Sequence, residues 1–232
     1  IQKAFEKFPS AKFLQAFGQT ELSPVATILD TSHHSQEGLK SGKLRSCGRA
    51  TRVCEIRIVD ENDQDIKNGD IGHIIVRGPI TMLGYWNKPD VTAETIKDGW
   101  VYTGDAGYMD EDGFTYIMDR DKDLILVGGF NVFPRVIEEA INEHPSVEEV
   151  TVIGIYDDYL GETPKAFVKL KDLNDPLTDQ ELLDFIKPKI GKHERPSQIE
   201  FRDELPKTMV GKLSKKELVA EEKAKLEAAK SS

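Results

Sequence analysis

The sequence predicts an α+β protein in two parts: a β-rich first half, built as a meander or distorted barrel, and a smaller α+β second half. Three observations predict this class. Residues 53–60 alternate apolar and polar side chains, as a half-buried strand does. Residues 106–118 have the composition of a hairpin, and beyond Lys122 short apolar runs alternate with amphipathic segments. With 232 residues the chain can bury more than one core, and we expect units at 1–121 and 122–232.

The elements of the first half follow from alternation and turn residues. Strands are predicted at 53–60 and 72–77, separated by a turn-rich stretch. A hairpin should pair 106–110 with 114–118, because the Asp112-Gly113 pair tolerates the positive φ of a tight turn.

The second half alternates strands with helices. Proline favours the first turn of a helix, and a Thr or Ser followed three residues later by Glu has the spacing of a capping box. The predicted elements are a strand at 123–127, a helix from Phe133-Pro134, strands at 148–155 and 166–170, and helices after Thr178 and Ser214.

Composition excludes some classes of function. With 41 acidic and 31 basic side chains the net charge is −10, so no broad basic surface is expected for nucleic acid. The only cysteines, Cys47 and Cys54, suggest a reducing, cytoplasmic setting. No apolar run reaches the ~20 residues of an integral membrane segment, which leaves peripheral membrane contact open. A start at Ile1 suggests a piece of a longer protein, and the oligomeric state is not predicted.

The turn at residues 17–21 could hold a nucleotide. Gly18 allows close approach of the backbone, Thr20 offers a hydroxyl to a phosphate, and Glu21 offers an oxygen that Mg²⁺ prefers. A turn leading into an exposed strand would have the same composition.

Asp105 and Arg120 form a second candidate group. A carboxylate can accept both hydroxyls of a ribose, and an arginine about fifteen residues later can reach the same sugar from across a hairpin. In the alternative interpretation Thr103-Gly104-Asp105 is only a β-turn. Arg120 then pairs at the surface with a neighbouring aspartate, at 119, 121 or 123.

Two glycine-containing loops follow in the second half. Gly128-Gly129 suits a backbone that lies against a narrow passage, or a tight turn from strand to helix. Lys212 follows Gly211, and this glycine gives the loop conformational freedom. Most exposed lysines have no catalytic role. His193 is interpreted as loop structure, with contact between cations of this stretch and the phosphates of a ligand as the alternative.

In this order and at these separations, the segments resemble the adenylate-forming enzymes, and most closely the bacterial fatty-acyl-CoA synthetases. The resemblance implies a ligase that uses ATP and Mg²⁺ to form acyl-AMP and pyrophosphate, then transfers the acyl group to CoA. It also implies roles in the nucleotide site: Phe17 stacks on adenine beside Gly18, Thr20 contacts the α-phosphate, Glu21 holds the metal, and Asp105 and Arg120 clamp the AMP ribose.

The resemblance also divides the chain. Residues 1–121 would be the C-terminal portion of the large AMP-binding domain, and 122–232 a mobile domain that swings about Lys122. Lys212 would serve adenylation. The loop of Gly128, Gly129 and Phe130 would face the pantetheine channel. Val136 stands where the family usually has a glutamate, which weakens any role assigned to that glutamate, while Glu138 remains in place.

Two alternatives stay open at this stage: an amino-acid-adenylating domain of a peptide synthetase, and a non-catalytic nucleotide-binding or interaction module of the same fold. The phosphate loop of the family and most of its acyl pocket correspond to sequence upstream of Ile1. We therefore expect the isolated chain to be inactive, and the acyl chain length cannot be read from it.

Overall fold

The computed structural model describes residues 2–172, 176–209 and 211–230. It contains two compact units, Ile1–Asp121 and Lys122–Ser232. The first is rich in β-structure and the second mixes helices with one sheet, so the predicted α+β class is confirmed.

The first unit contains two antiparallel sheets. One has the strand order β1-β2-β3, and the other has the order β4-β5-β7-β6 with β8 also paired to β7. The elements are α1 (Gln2–Lys7), β1 (Gln15–Phe17), β2 (Thr27–Leu29), α2 (Gln36–Lys40), β3 (Arg49–Ala50), β4 (Glu55–Val59), β5 (Gly72–Arg77), α3 (Pro89–Thr95), β6 (Ile96–Lys97), β7 (Trp100–Met109) and β8 (Thr115–Arg120).

The alternation of apolar and polar side chains along the strands determines which face of the sheet forms the core of this unit. Ile56 and Ile58 of β4 point to the same face of the sheet, where they pack with Ile74 and Val76 of β5. The predicted hairpin is present, and Gly113 has a φ of +78° in its turn. Its strands are longer than predicted, because residues 103–105 continue β7 instead of forming the β-turn of the alternative interpretation.

The second unit has one five-stranded sheet and three helices among its described residues. The sheet has the order β10-β9-β12-β11, and β13 runs parallel to β12. The elements are β9 (Ile125–Val127), β10 (Phe130–Val132), α4 (Pro134–Asn142), β11 (Val147–Asp157), β12 (Gly161–Leu170), α5 (Asp179–Ile186), β13 (Gln198–Phe201) and α6 (Lys215–Lys230).

The two faces of this sheet bury different helices. Val152 and Ala166 face α4 and α5, whereas their neighbours Ile153 and Phe167 pack on the other face against Leu218 of α6. The capping box of Thr178 and Glu181 is present at the start of α5. The strand predicted at 123–127 was placed too early, since a 3-10 turn occupies Asp121–Asp123.

The two cysteines are not joined by a disulfide, and Cys47 is buried. Across the described ranges, no helix combines the length and the apolar character needed to cross a bilayer.

Candidate functional site

The turn after β1 is held together by close packing of the chain on itself. A Cβ on Gly18 would lie 1.7 Å from the carbonyl oxygen of Pro24, so only glycine fits at this position. Thr20 opens a 3-10 turn and is exposed, whereas the Phe17 ring is half-buried and packs on the core of the sheet. The fold itself therefore requires glycine at position 18. Contacts of Phe17, Gly18 and Thr20 with a nucleotide remain a prediction.

Glu21 is fixed by a residue 64 positions away in the sequence. The hydroxyl of Tyr85 donates to Oε1 of Glu21 at 2.6 Å, and the backbone N–H of Met82 donates to the Glu21 carbonyl at 2.8 Å. The hydrogen bond to this carboxylate, together with burial, raises the pKa of Tyr85. The carboxylate is therefore held in one orientation by a donor that stays protonated.

The position of Glu21 is compatible with a role as the single protein ligand of a Mg²⁺ ion. The described part of the chain contains no group of three or more acidic, His or Cys side chains that could enclose a metal. Mg²⁺ keeps several waters and is usually held by one or two carboxylates together with substrate phosphates, so a lone oriented glutamate matches its chemistry.

Asp105 and Arg120 are brought together by the ladder between β7 and β8, where they lie directly opposite each other. Nε of Arg120 is 2.9 Å from Oδ1 of Asp105, and its guanidinium also donates to the carbonyl of Thr103 at 3.4 Å. This ion pair replaces the alternative in which Arg120 pairs only with a neighbouring aspartate.

The two partners differ in their exposure to water. The Asp105 side chain is 6% exposed and the Arg120 side chain 51%. Burial raises the pKa of Asp105, and Arg120 opposes this shift only in part. Gly104, between Thr103 and Asp105, has a φ of +69°, which turns the strand locally without a clash. The result is a buried acceptor beside an exposed planar donor, an arrangement that can bind a diol.

Lys122 is the first residue of the second unit and is exposed. The preceding Asp121 is fixed to β5, since its Oδ2 is 2.9 Å from Nδ1 of His73. A movable connection at Lys122 stays a prediction.

Gly128 and Gly129 form the two-residue turn between β9 and β10. Their φ values are +56° and +88°, as a type I′ turn requires, so the predicted strand-to-helix turn is wrong. A Cβ on Gly129 would meet no atom within 4 Å, whereas one on Gly128 would lie 3.2 Å from the Leu160 side chain.

Phe130 follows this turn and borders an open groove. Its ring stacks on His193 with the centroids 5.0 Å apart, and both line a cavity of about 730 Å³ together with Tyr159 and Lys192. Sequence reasoning did not place His193 beside Phe130, because no local pattern links a residue in a late loop to the β9–β10 turn.

Lys212 lies at the end of an exposed hairpin. Its backbone N–H donates to Oγ1 of Thr208 at 3.2 Å, and its carbonyl accepts from the Thr208 N–H at 2.7 Å. Gly211 has a φ of +79°, a conformation that favours glycine. Within the part of the chain that the structure describes, the Lys212 ammonium has no hydrogen-bond or ion-pair partner. It is therefore a cation on a fixed backbone that remains available to a ligand.

Two family profiles match the chain. The profile of the AMP-binding enzymes matches residues 1–86, and that of the AMP-binding enzyme C-terminal domain matches residues 136–212.

Curated relatives agree with these profiles. The chain is 42% identical over 224 residues to a long-chain-fatty-acid–CoA ligase of Bacillus subtilis, covering 96% of this chain and 38% of the relative. It is 40% identical over 229 residues to the ligase of the same name from Salmonella typhimurium, covering 98% and 39%. The chain thus spans about two fifths of the length of these relatives.

A solved structure extends the similarity to three dimensions. The o-succinylbenzoate CoA synthetase of Bacillus subtilis, in complex with its acyl-adenylate intermediate, superposes with a TM-score of 0.81 at 32% identity. The match covers 91% of this chain and 41% of that one. The same synthetase has also been solved with ATP and a magnesium ion.

Proposed function

Because this chain belongs to the AMP-binding, adenylate-forming enzymes, we propose that it is part of an ATP-dependent ligase that joins a long-chain fatty acid to coenzyme A. The observation that carries the proposal is the buried Asp105 carboxylate opposite the exposed Arg120 guanidinium. Burial disfavours the charged form of a carboxylate, and groups perturbed in this way cluster at functional sites. The fatty-acid substrate is supported by the names of the relatives.

The proposed reaction has two steps. A carboxylate oxygen of the acid attacks the α-phosphorus of ATP, pyrophosphate leaves, and acyl-AMP forms. The sulfur of CoA then attacks the acyl carbonyl carbon, the thiol proton is released, and AMP leaves.

Each candidate residue has one role in this scheme. Asp105 and Arg120 hold the ribose through both steps, and Lys212 stabilises the charge that develops at the α-phosphate. Bound magnesium would neutralise phosphate charge, with Glu21 as one of its ligands. The turn at Gly128-Gly129 would lie along the pantetheine of CoA in the second step.

Lys212→Ala in the full-length enzyme tests the first step. Loss of a preorganised charge-stabilising group typically slows a reaction by about 10²–10³-fold. We expect a loss of this size in the ATP-dependent release of pyrophosphate, with little change in thioester formation from supplied acyl-AMP. The matched control is Lys216→Ala, at an exposed lysine in the first turn of α6.

Unchanged release of pyrophosphate in Lys212→Ala would contradict the assignment. The isolated 232-residue chain is expected to make no thioester, because the phosphate loop of the family is not in its sequence. Turnover by the purified chain would instead mean that phosphate binding is organised differently. Activity with amino acids but not fatty acids would favour a peptide-synthetase domain, and absence of nucleotide binding by the full-length protein would favour a non-catalytic module.

A further inference from the structure

The hairpin that carries Lys212 is closed at its base by two backbone contacts. Lys207 and Leu213 form an isolated antiparallel bridge, and the Ser214 N–H donates to the Pro206 carbonyl at 2.8 Å. At the far end the Gly211 N–H donates to the Thr208 carbonyl at 2.8 Å. These bonds join the described residues on the two sides of the hairpin, and the orientation of the hairpin depends on what holds its base.

Two ion pairs hold that base on the second unit. Nζ of Lys207 is 2.8 Å from Oε1 of Glu149 on β11. On the other side Nζ of Lys215 is 3.0 Å from Oε1 of Glu138, which also accepts the Val152 N–H at 2.8 Å. Glu138, Lys215 and Glu149 are partly buried, whereas the Lys207 side chain is 37% exposed. The pair of Lys215 and Glu138 is therefore better shielded from solvent than a surface pair, and the pair of Lys207 and Glu149 is shielded mainly on its carboxylate side.

Glu149 differs from Glu138 in one respect. Its Oε2 is buried and has no hydrogen-bond partner among the described residues. A buried oxygen without a donor is unfavourable, so the Oε2 atom adds no stability of its own. Its clear interaction in the structure is the ion pair with Lys207.

The ion pair with Glu149 also makes the two lysines of the hairpin electrostatically different. Lys207 and Lys212 both lie on the bridged segment, and either ammonium could be attracted to a polyphosphate. Glu149 neutralises Lys207 and fixes its Nζ. Lys212 is left as the lysine that a ligand can reach.

We infer that Glu149 is a positioning residue for adenylation: by holding Lys207, it aims the hairpin and leaves Lys212 as the lysine presented to the triphosphate. This inference rests on the proposed function. Glu149 touches no substrate, and its influence passes through Lys207 and the bridged base of the hairpin.

The test compares the two half-reactions of the full-length enzyme in Glu149→Gln and Lys207→Gln. Acyl-AMP formation from ATP is expected to fall by about 10–100-fold, the range that a small misplacement of a catalytic group produces. Thioester formation from supplied acyl-AMP should stay within about twofold, since it does not use Lys212. The charge reversal Glu149→Lys with Lys207→Glu should recover most of the loss, which would show that the loss comes from this pair and not from either side chain alone.

Glu148→Gln is the matched control, because Glu148 is adjacent on β11 but pairs with Lys169 at 3.4 Å. It should leave both half-reactions unchanged. Equal losses in both half-reactions for Glu149→Gln, or no loss in either, would overturn the inference.

Lys212→Ala is measured alongside to separate the two hypotheses. If it abolishes adenylation while Glu149→Gln does not affect it, only the positioning role fails. If Lys212→Ala has no effect, the proposed role of Lys212 fails and the positioning role with it.

A second measurement uses the purified chain and needs no activity. The amide hydrogens of Thr208 and Lys212 are both bonded within the hairpin, so their exchange with solvent reports its order. We expect faster exchange of both in Glu149→Gln and no change in Glu148→Gln. Unchanged exchange in Glu149→Gln would count against the inference even if the variant were inactive.

Discussion

Asp105 holds a carboxylate where little water can reach it. The residue is 5% exposed, and its single ion-pair partner in the described chain, Arg120, is half in solvent. Desolvation outweighs the attraction of the guanidinium, so the pKa of Asp105 is raised above its ordinary value of 3.8. At neutral pH this placement lowers the stability of the folded protein, whereas it offers an acceptor to a ligand with two adjacent hydroxyls.

Asp105→Asn should therefore weaken nucleotide binding and increase the stability of the fold at neutral pH. The raised pKa means that the contribution of Asp105 to stability is fully present below pH 3.8 and is lost as pH rises through the folded-state pKa. Asparagine does not titrate, so the free energy of unfolding of the variant, relative to the parent, should increase between pH 3 and pH 7. Urea unfolding at a series of pH values measures this.

The control for this prediction is Asp70→Asn, at an exposed aspartate of the same unit. It should show no comparable pH-dependent gain. The same Asp105→Asn protein, titrated with AMP by calorimetry in its full-length form, should bind much more weakly than the parent. Undiminished binding would remove Asp105 from the nucleotide site.

At the residue scale the sequence predicted which side chains belong to the candidate site, but not their burial or their distant partners. The spacing of Asp105 and Arg120 across a hairpin with an Asp-Gly turn was enough to pair them. Nothing local indicated that one partner is buried. Likewise the bond from Tyr85 to Glu21 spans 64 positions, and its geometry exists only after both loops have folded.

At the scale of elements, the β9–β10 turn can be tested separately for conformation and for space. Gly128 and Gly129 both have positive φ, but only the value of +56° at Gly128 lies near the left-handed region that asparagine tolerates. At Gly129 the φ is +88° and the space around a new Cβ is open. Any cost of a side chain at Gly129 in the free protein therefore comes from the backbone alone.

Gly129→Ala is expected to destabilise the second unit by about 1–2 kcal/mol, from the left-handed conformation. Gly128→Asn should be nearly neutral, because Asn-Gly is the favoured pair for a type I′ turn. Thermal unfolding of the two variants measures the difference. If Gly128→Asn lowered the stability as much as Gly129→Ala does, the Leu160 side chain would be unable to move away from the new Cβ.

The same variants address the second half-reaction. If Gly129 borders a narrow channel, Gly129→Ala in the full-length enzyme should slow thioester formation from acyl-AMP while leaving acyl-AMP formation nearly unchanged. Parallel losses in both steps would indicate that the turn matters only for folding.

Elements with a strong local code were predictable, and those held by distant partners were not. The capping box at Thr178 marks the start of α5 in four residues of sequence. The later part of α6 is rich in Ala, Glu and Lys, a composition typical of a solvated helix end. In the structure Arg202 donates to both oxygens of Glu221 and lowers its pKa to about 2. Arg202 and Glu221 are 19 positions apart in the sequence, and no local pattern predicts their contact.

At the scale of the whole molecule, each unit has its own buried core. The core of the second unit forms between its sheet and α4 and α5, with a smaller cluster under α6 that includes Phe167 and Leu218. Every residue of both clusters lies beyond Lys122. A unit of about 110 residues with a core of this kind has the size of an ordinary independently folding domain.

We therefore expect residues 122–232 to fold when expressed alone. The isolated unit should give a helix-containing far-UV circular dichroism spectrum and one cooperative unfolding transition, as small single domains do. Gly129→Ala should lower the midpoint of this transition. In the 232-residue chain the same variant should shift the transition of the second unit, whereas Asp105→Asn should affect only that of the first. An unfolded 122–232 polypeptide, or one transition shifted by both variants, would show that the two cores do not fold independently.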